Sequence, residues 1–161
     1  MVHVVRRQAL EYVHRGARQK RAVHLERRIL GGRSDEGEQA VLTSGADALV
    51  IRTAWLYGHH GKNFVKSIMS ADRREPALRV VSDQRGCPTF AEDLASALLA
   101  LMAKNVSGVI HVTNRGDCTW HEFAEAIVRE MGLAVPVAPI STEAAGRVAK
   151  RPRFSVLNQE R

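Results

Sequence analysis

Residues 48–64 read ALVIRTAWLYGHHGKNF, an apolar run that passes into a polar loop bounded by glycines. Leu49, Val50 and Ile51 have the character of a strand buried on both faces of a sheet. Trp55 and Tyr57 follow where such a strand emerges. In an open α/β sheet, ligands bind outside the carboxyl ends of the strands, which makes Trp55 the first candidate contact residue. The same spacing also fits a plain core or rim aromatic.

Working outward, the flanking sequence has the punctuation of alternating strands and helices. A helix is expected over Asp35–Thr43, stopped at Ser44 and Gly45. Asn63 is placed to cap a helix carrying Phe64, Val65, Ile68 and Met69, and Leu78–Ser82 reads as a valine-rich strand. In DQRGCPT, Gly86 and Pro88 impose a turn. Thr89 and Glu92 then stand in the capping-box arrangement, ahead of a helix with Leu94, Ala97, Leu98 and Leu101 on one face. The device repeats: strand Val109–Val112, a turn at Asn114–Asp117, and Thr119 with Glu122 opening a helix through Met131 that stops at Gly132. Val135–Ile140 is expected to be extended, and Thr142–Val148 to form a short helix. This order of elements predicts an α/β fold.

At 161 residues the chain is sized for one domain able to bury roughly two-thirds of its unfolded surface. The net charge is +7, but residues 1–33 hold nine Lys/Arg against two acids, leaving 15 basic and 15 acidic residues in the remainder. The excess is thus a basic segment on a neutral domain. That segment has no sustained period; a basic helix over Arg18–Leu30 has only a thin stripe of Val23, Arg27 and Leu30. Apart from Tyr12 it lacks aromatics to stack on bases, so nucleic acid is not an expected partner. Cys87 and Cys118 have no ligand-spaced neighbour and read as reduced thiols. With no apolar run near the roughly 20 residues of a membrane span and no signal-peptide core, no membrane is implied and the expected location is the cytoplasm.

Several motifs fail on spacing. GHHGK at Gly58–Lys62 lacks the four-residue gap of a phosphate loop, and Asn63 stands where that loop needs Ser or Thr. No G-x-G-x-x-G occurs, so the dinucleotide fingerprint is absent from this chain. His59 and His60 fit a solvated loop, His111 a structural strand position and His121 a solvated first helical turn. Asp117, Glu122 and Glu125 fit capping and an exposed helix face better than paired acid/base work. No strand-turn-helix frames a serine nucleophile.

Taken together, RTAWLYG, GKNF, VVSDQRGCPT, ASALLAL, GVIHVTNRGDCTWHEFA, PIST and KRPRFSVLN resemble, in order and spacing, the carboxy-terminal half of dTDP-4-dehydrorhamnose reductases, over roughly Ser34–Gln159. The resemblance implies an extended short-chain dehydrogenase fold: part of a Rossmann-like sheet, with a smaller carboxy-terminal lobe holding the nucleotide-sugar. It implies NADPH or NADH as cofactor and a dTDP-sugar as ligand. Trp55 matches the family's sugar-nucleotide tryptophan, and Asn63 is placed with it on the pocket wall. Residues 34–161 are read as this reductase-like region and 1–33 as a basic, diverged segment.

The departures are as informative. The family protonates its substrate with a Tyr-x-x-x-Lys pair helped by a threonine. By the resemblance, GGRSDEGEQA puts Gly31 at the tyrosine and Asp35 at the lysine, and ALEYVHRG puts Leu10 at the threonine. Tyr12 and Tyr57 cannot form a displaced pair, because Gly16 and Gly61 stand four residues after them. The expectation is a fragment or diverged member that keeps part of the nucleotide-sugar pocket, with no catalytic and no cofactor-binding residue of its own. A non-catalytic interaction subunit, meeting a second copy or a partner chain through an exposed sheet, is the alternative.

Overall fold

Val50 and Ile51 are completely buried in the middle of the central strand, with Ala48 and Leu49 nearly so. Leu49, Val50 and Ile51 each contribute about 1.5–3 kcal/mol relative to exposure. In a computed structural model, residues 22–27, 33–44, 47–71, 76–104, 106–149 and 151–158 are described. In chain order the elements are β1 (Ala22–Arg27), α1 (Arg33–Thr43), β2 (Ala48–Thr53), β3 (Leu56–Tyr57), α2 (Phe64–Ala71), β4 (Leu78–Val81), β5 (Arg85–Gly86), β6 (Thr89–Phe90), α3 (Ala91–Met102), β7 (Gly108–His111), β8 (Cys118–Thr119), α4 (Trp120–Glu130) and β9 (Val137–Ile140).

Strand β2 lies between β1 and β7, and both pairings are parallel. Helices cover both faces. Leu49 and Ile51 pack with Leu94 of α3, and Leu98, Leu101 and Ile110 close round them. The alternate residue Arg52 reaches α1, where its guanidinium donates to both oxygens of the buried Glu38. The described residues therefore form part of a Rossmann-like α/β sheet: the alternation of elements implied the α/β class, and the resemblance the Rossmann-like sheet.

A second core gathers around Ile68 of α2, Leu78 and Val80 of β4, and Phe123, Ala124 and Ile127 of α4, with Val135 beside them. Here β4 pairs in parallel with β9. This is the smaller lobe, and β2 feeds into it through Trp55 and β3.

The helix at 120–130 starts as read. Thr119 accepts from the Glu122 amide while the Glu122 carboxylate accepts from the Thr119 amide, and Gly132 follows at φ +62°. Asn63 likewise caps α2, its Oδ1 accepting from the Lys66 amide at 3.1 Å. Helix α1 begins slightly earlier than read, at Arg33.

Four expectations are corrected. Gly86 and Pro88 impose no turn: Gly86 is a buried residue of β5 paired with Cys118 on β8, and the chain runs on extended into β6. Thr89 does not cap α3. It is a buried residue of β6 paired with Leu56, and its hydroxyl donates to the Cys87 carbonyl at 3.3 Å. The cap is Phe90, whose amide is held by Asn114 Oδ1 at 2.7 Å. Asn114 also donates to Asp93 in the helix's first turn, at 2.6 Å. Residues 142–146 form turns rather than a helix. The Ala145 amide reaches the Ser141 carbonyl once, and Gly146 at φ +59° ends the run. The basic helix over Arg18–Leu30 is replaced across Ala22–Arg27 by β1, which pairs residue for residue with β2; the rest of that stretch lies outside the described residues.

Candidate functional site

Trp55 sits just beyond the carboxyl end of β2, at φ +48°, the one described non-glycine residue with positive φ. Such a backbone costs of the order of 1–3 kcal/mol unless its surroundings hold it. Three contacts do so. The Trp55 carbonyl accepts from the Thr89 amide at 3.2 Å. Its indole stacks on Trp120 with centroids 3.5 Å apart and planes 8° from parallel. Its edge lies against Gly86, where an added Cβ would come within 2.4 Å of Cε2.

The stack continues inward. Trp120 meets Phe64 at 4.6 Å, and Phe64 meets Phe123 at 5.6 Å. Since Phe123 belongs to the lobe core, the column anchors Trp55 to the lobe while β2 anchors it to the sheet. Trp55 is half-buried.

Asn63 stands at the foot of the Gly58–Asn63 loop, with Nδ2 donating to the Gly58 carbonyl at 2.7 Å. Both ends of its amide thus shape the loop. In that loop His59 pairs with Glu92 at 3.5 Å and is well exposed, and the Lys66 ammonium donates to the His59 carbonyl at 2.6 Å. Among the described residues no cluster of three or more His, Cys, Asp or Glu is arranged to hold a metal.

Arg85 ties the far side together. Its guanidinium donates to Asp117 and reaches Glu122 at 3.5 Å, so these two carboxylates serve an ion pair and a cap. Strand β5 pairs antiparallel with β8, while the Arg85 amide and carbonyl bond to Arg153 and Ser155. The Glu122 carboxyl lies below its ordinary range, chiefly because the Thr119 amide donates to it. His121 departs from the solvated reading: its side chain is only 15% exposed and lies between Glu125 and the Val137 carbonyl. His111 is structural, with Nδ1 2.9 Å from the Asn158 carbonyl.

Tyr57 packs edge-on against Phe123 and beside Phe90. Burial, and then the Asp93 charge, push its phenol above the ordinary value, which is the wrong direction for an activated proton donor. Of the positions matched to the family's catalytic groups, Asp35 lies in the first turn of α1; Gly31 and Leu10 are outside the described residues. A cofactor of this fold would lie on a glycine-rich turn after a strand of the sheet. Neither β2 nor β7 runs into a glycine-rich turn; Thr53, at the end of β2, offers only a buried hydroxyl without a partner among the described residues.

The spacing that pointed to Trp55 did not point to Trp120 or Gly86, which lie on distant segments. Their only sequence signals are an aromatic opening a capped helix and a glycine before Cys-Pro.

Residues 28–161 match the RmlD substrate binding domain. The chain is 41% identical over 135 residues to the spore coat polysaccharide biosynthesis protein SpsK of Bacillus subtilis, covering 83% of this chain and 47% of that protein. It is 40% identical over 142 residues to the dTDP-4-dehydrorhamnose reductase of Streptomyces griseus, covering 84% and 47%. The fold superposes on the dTDP-4-dehydrorhamnose reductase of Bacillus anthracis in complex with NADP with a TM-score of 0.80 at 31% identity, covering 86% of this chain and 57% of that one. For the corresponding Clostridium acetobutylicum structure the TM-score is 0.75 at 30% identity, covering 86% and 56%. The chain spans about half the length of the curated relatives it matches. With its family profile, its relatives and its fold in agreement, this chain belongs to the RmlD substrate binding domain family.

Proposed function

We propose that this chain supplies the nucleotide-sugar side of a dTDP-4-dehydrorhamnose reductase, gripping a dTDP-sugar at Trp55. The observation that carries the reading is the placement of Trp55 at the carboxyl end of β2, where sheet passes into lobe, in a backbone conformation maintained by packing. Trp120 covers one face of the indole, so a ligand meets the other face or the rim. Asn63 enters as the residue that shapes the Gly58–Asn63 loop beside it.

On this reading residues 34–161 are the ligand-holding unit, and reduction by this chain alone is not expected. By the resemblance the family's tyrosine and lysine positions hold Gly31 and Asp35, and the sequence carries no G-x-G-x-x-G for NADPH or NADH. We read the protein as cytoplasmic, which fits its two free thiols; among the described residues, no helix is long and apolar enough to cross a membrane.

Calorimetric titration with dTDP-rhamnose tests the pocket. Binding that weakens about tenfold in Trp55→Ala, the worth of one lost aromatic contact, is expected. Equal affinity in the two proteins defeats the assignment of Trp55. Steady oxidation of NADPH by the purified chain with dTDP-4-dehydrorhamnose would overturn the non-catalytic part.

A further inference from the structure

We infer that Gly86 is a positioning residue for Trp55: by having no side chain, it lets the indole lie flat on Trp120 and so sets the surface the site presents. The inference rests on the pocket reading for its consequence to ligand binding, but its structural half stands on contacts alone.

The two residues come from different segments, Trp55 after β2 and Gly86 in β5. Trp55 leaves β2 at φ +48° and is pinned by the Thr89 amide, which leaves its ring few choices of direction. Gly86 is a buried residue of β5, and its strand is fixed independently. It pairs with Cys118 on β8, while the neighbouring Arg85 is bonded through its backbone to Arg153 and Ser155. A Cβ at Gly86 would stand 2.4 Å from Trp55 Cε2, 2.6 Å from Nε1 and 2.7 Å from the Ser155 hydroxyl. The hydroxyl can rotate away. The indole is a rigid plate with Trp120 at 3.5 Å across its face, so it can yield only by sliding along the stack or leaving it. Gly86 has no positive-φ requirement of its own; the glycine is needed for approach.

The test uses the whole chain and its two tryptophans. In a 1H–15N spectrum they give two indole N–H signals, each displaced by the ring current of the other, and Trp55→Ala gives the unstacked reference for Trp120. Gly86→Ala is expected to move the Trp120 indole signal toward that reference and to weaken dTDP-rhamnose binding about tenfold, with no further loss when combined with Trp55→Ala. An unmoved indole signal in Gly86→Ala overturns the inference. If the signal moves while the unmodified chain shows no affinity for dTDP-rhamnose, the positioning role is upheld and the pocket reading fails. If the signal stays while Trp55→Ala weakens binding, the pocket stands and the role of Gly86 falls. Should Gly86→Ala unfold the chain, its stability in the Trp55→Ala background decides. Recovery there upholds the clash with the indole, whereas equal unfolding in both backgrounds overturns it.

Discussion

Arg52 grips Glu38 through two hydrogen bonds of 2.8 and 2.5 Å, joining the carboxyl end of β2 to helix α1. The Glu38 side chain is 5% exposed and that of Arg52 36%, so the carboxylate is the partner that depends on the pair. Removing Arg52 takes two charge-assisted hydrogen bonds from this buried carboxylate. Arg52→Ala is expected to cost about 2–3 kcal/mol in urea unfolding, below the upper range for fully buried pairs because Arg52 keeps contact with water. The double variant with Glu38→Ala should cost less than the two single losses summed. Additive losses would show that the pair is not coupled.

Asn114 caps a helix that begins far upstream of it. Its carbonyl oxygen accepts from the Phe90 amide and its amide donates to Asp93, so one side chain fixes the first turn of α3 against the loop after β7. Asn114→Ala is expected to lose about 1–2 kcal/mol, the scale of a lost capping bond to the Phe90 amide plus a lost donor to the Asp93 carboxylate. Hydrogen exchange should quicken at Phe90 and through the first turn of α3 while α4 stays protected. Uniform quickening of both helices would argue against a local cap.

This pair marks the boundary of what the sequence discloses. The cap of α4 was legible because Thr119 and Glu122 satisfy one another within a single turn. The look-alike pair Thr89 and Glu92 misled, because Thr89 is consumed by the β3–β6 pairing and the real acceptor lies 24 residues downstream. The central strand and the position of Trp55 were legible from the apolar run and its sudden end. The ring beneath it was not, since nothing local to Trp120 refers to Trp55. The same holds for Arg85, whose carboxylate partners and Ser155 come from two other segments.

Acid should loosen the lobe. Asp83 is held below its ordinary 3.8, first by the Thr142 hydroxyl and then by the Thr142 amide, and Glu122 below 4.5 by the Thr119 amide. Both folded values are depressed, so the stability they contribute is complete above the unfolded values. It is lost as pH falls through that range toward the folded ones. Asp83→Asn should therefore flatten the acid limb of a melting-temperature profile below about pH 4 and leave the neutral limb parallel to that of the unmodified chain. An unchanged acid limb would remove Asp83 from the account.

Cys118 lies in β8 beside the Arg85 pairing, yet its thiol is pushed up to about 11, first by burial and then by the Glu122 charge, with Arg85 pulling the other way. At neutral pH it is therefore a thiol and a poor nucleophile. Alkylation by iodoacetamide, followed by intact mass, should be slow in the folded chain at pH 8 and rise only toward pH 11. Glu122→Gln should bring the rise to lower pH, and Arg85→Leu should move it higher. Rapid labelling of Cys118 at pH 7 in a chain that remains folded would contradict both its burial and the sign of its neighbours.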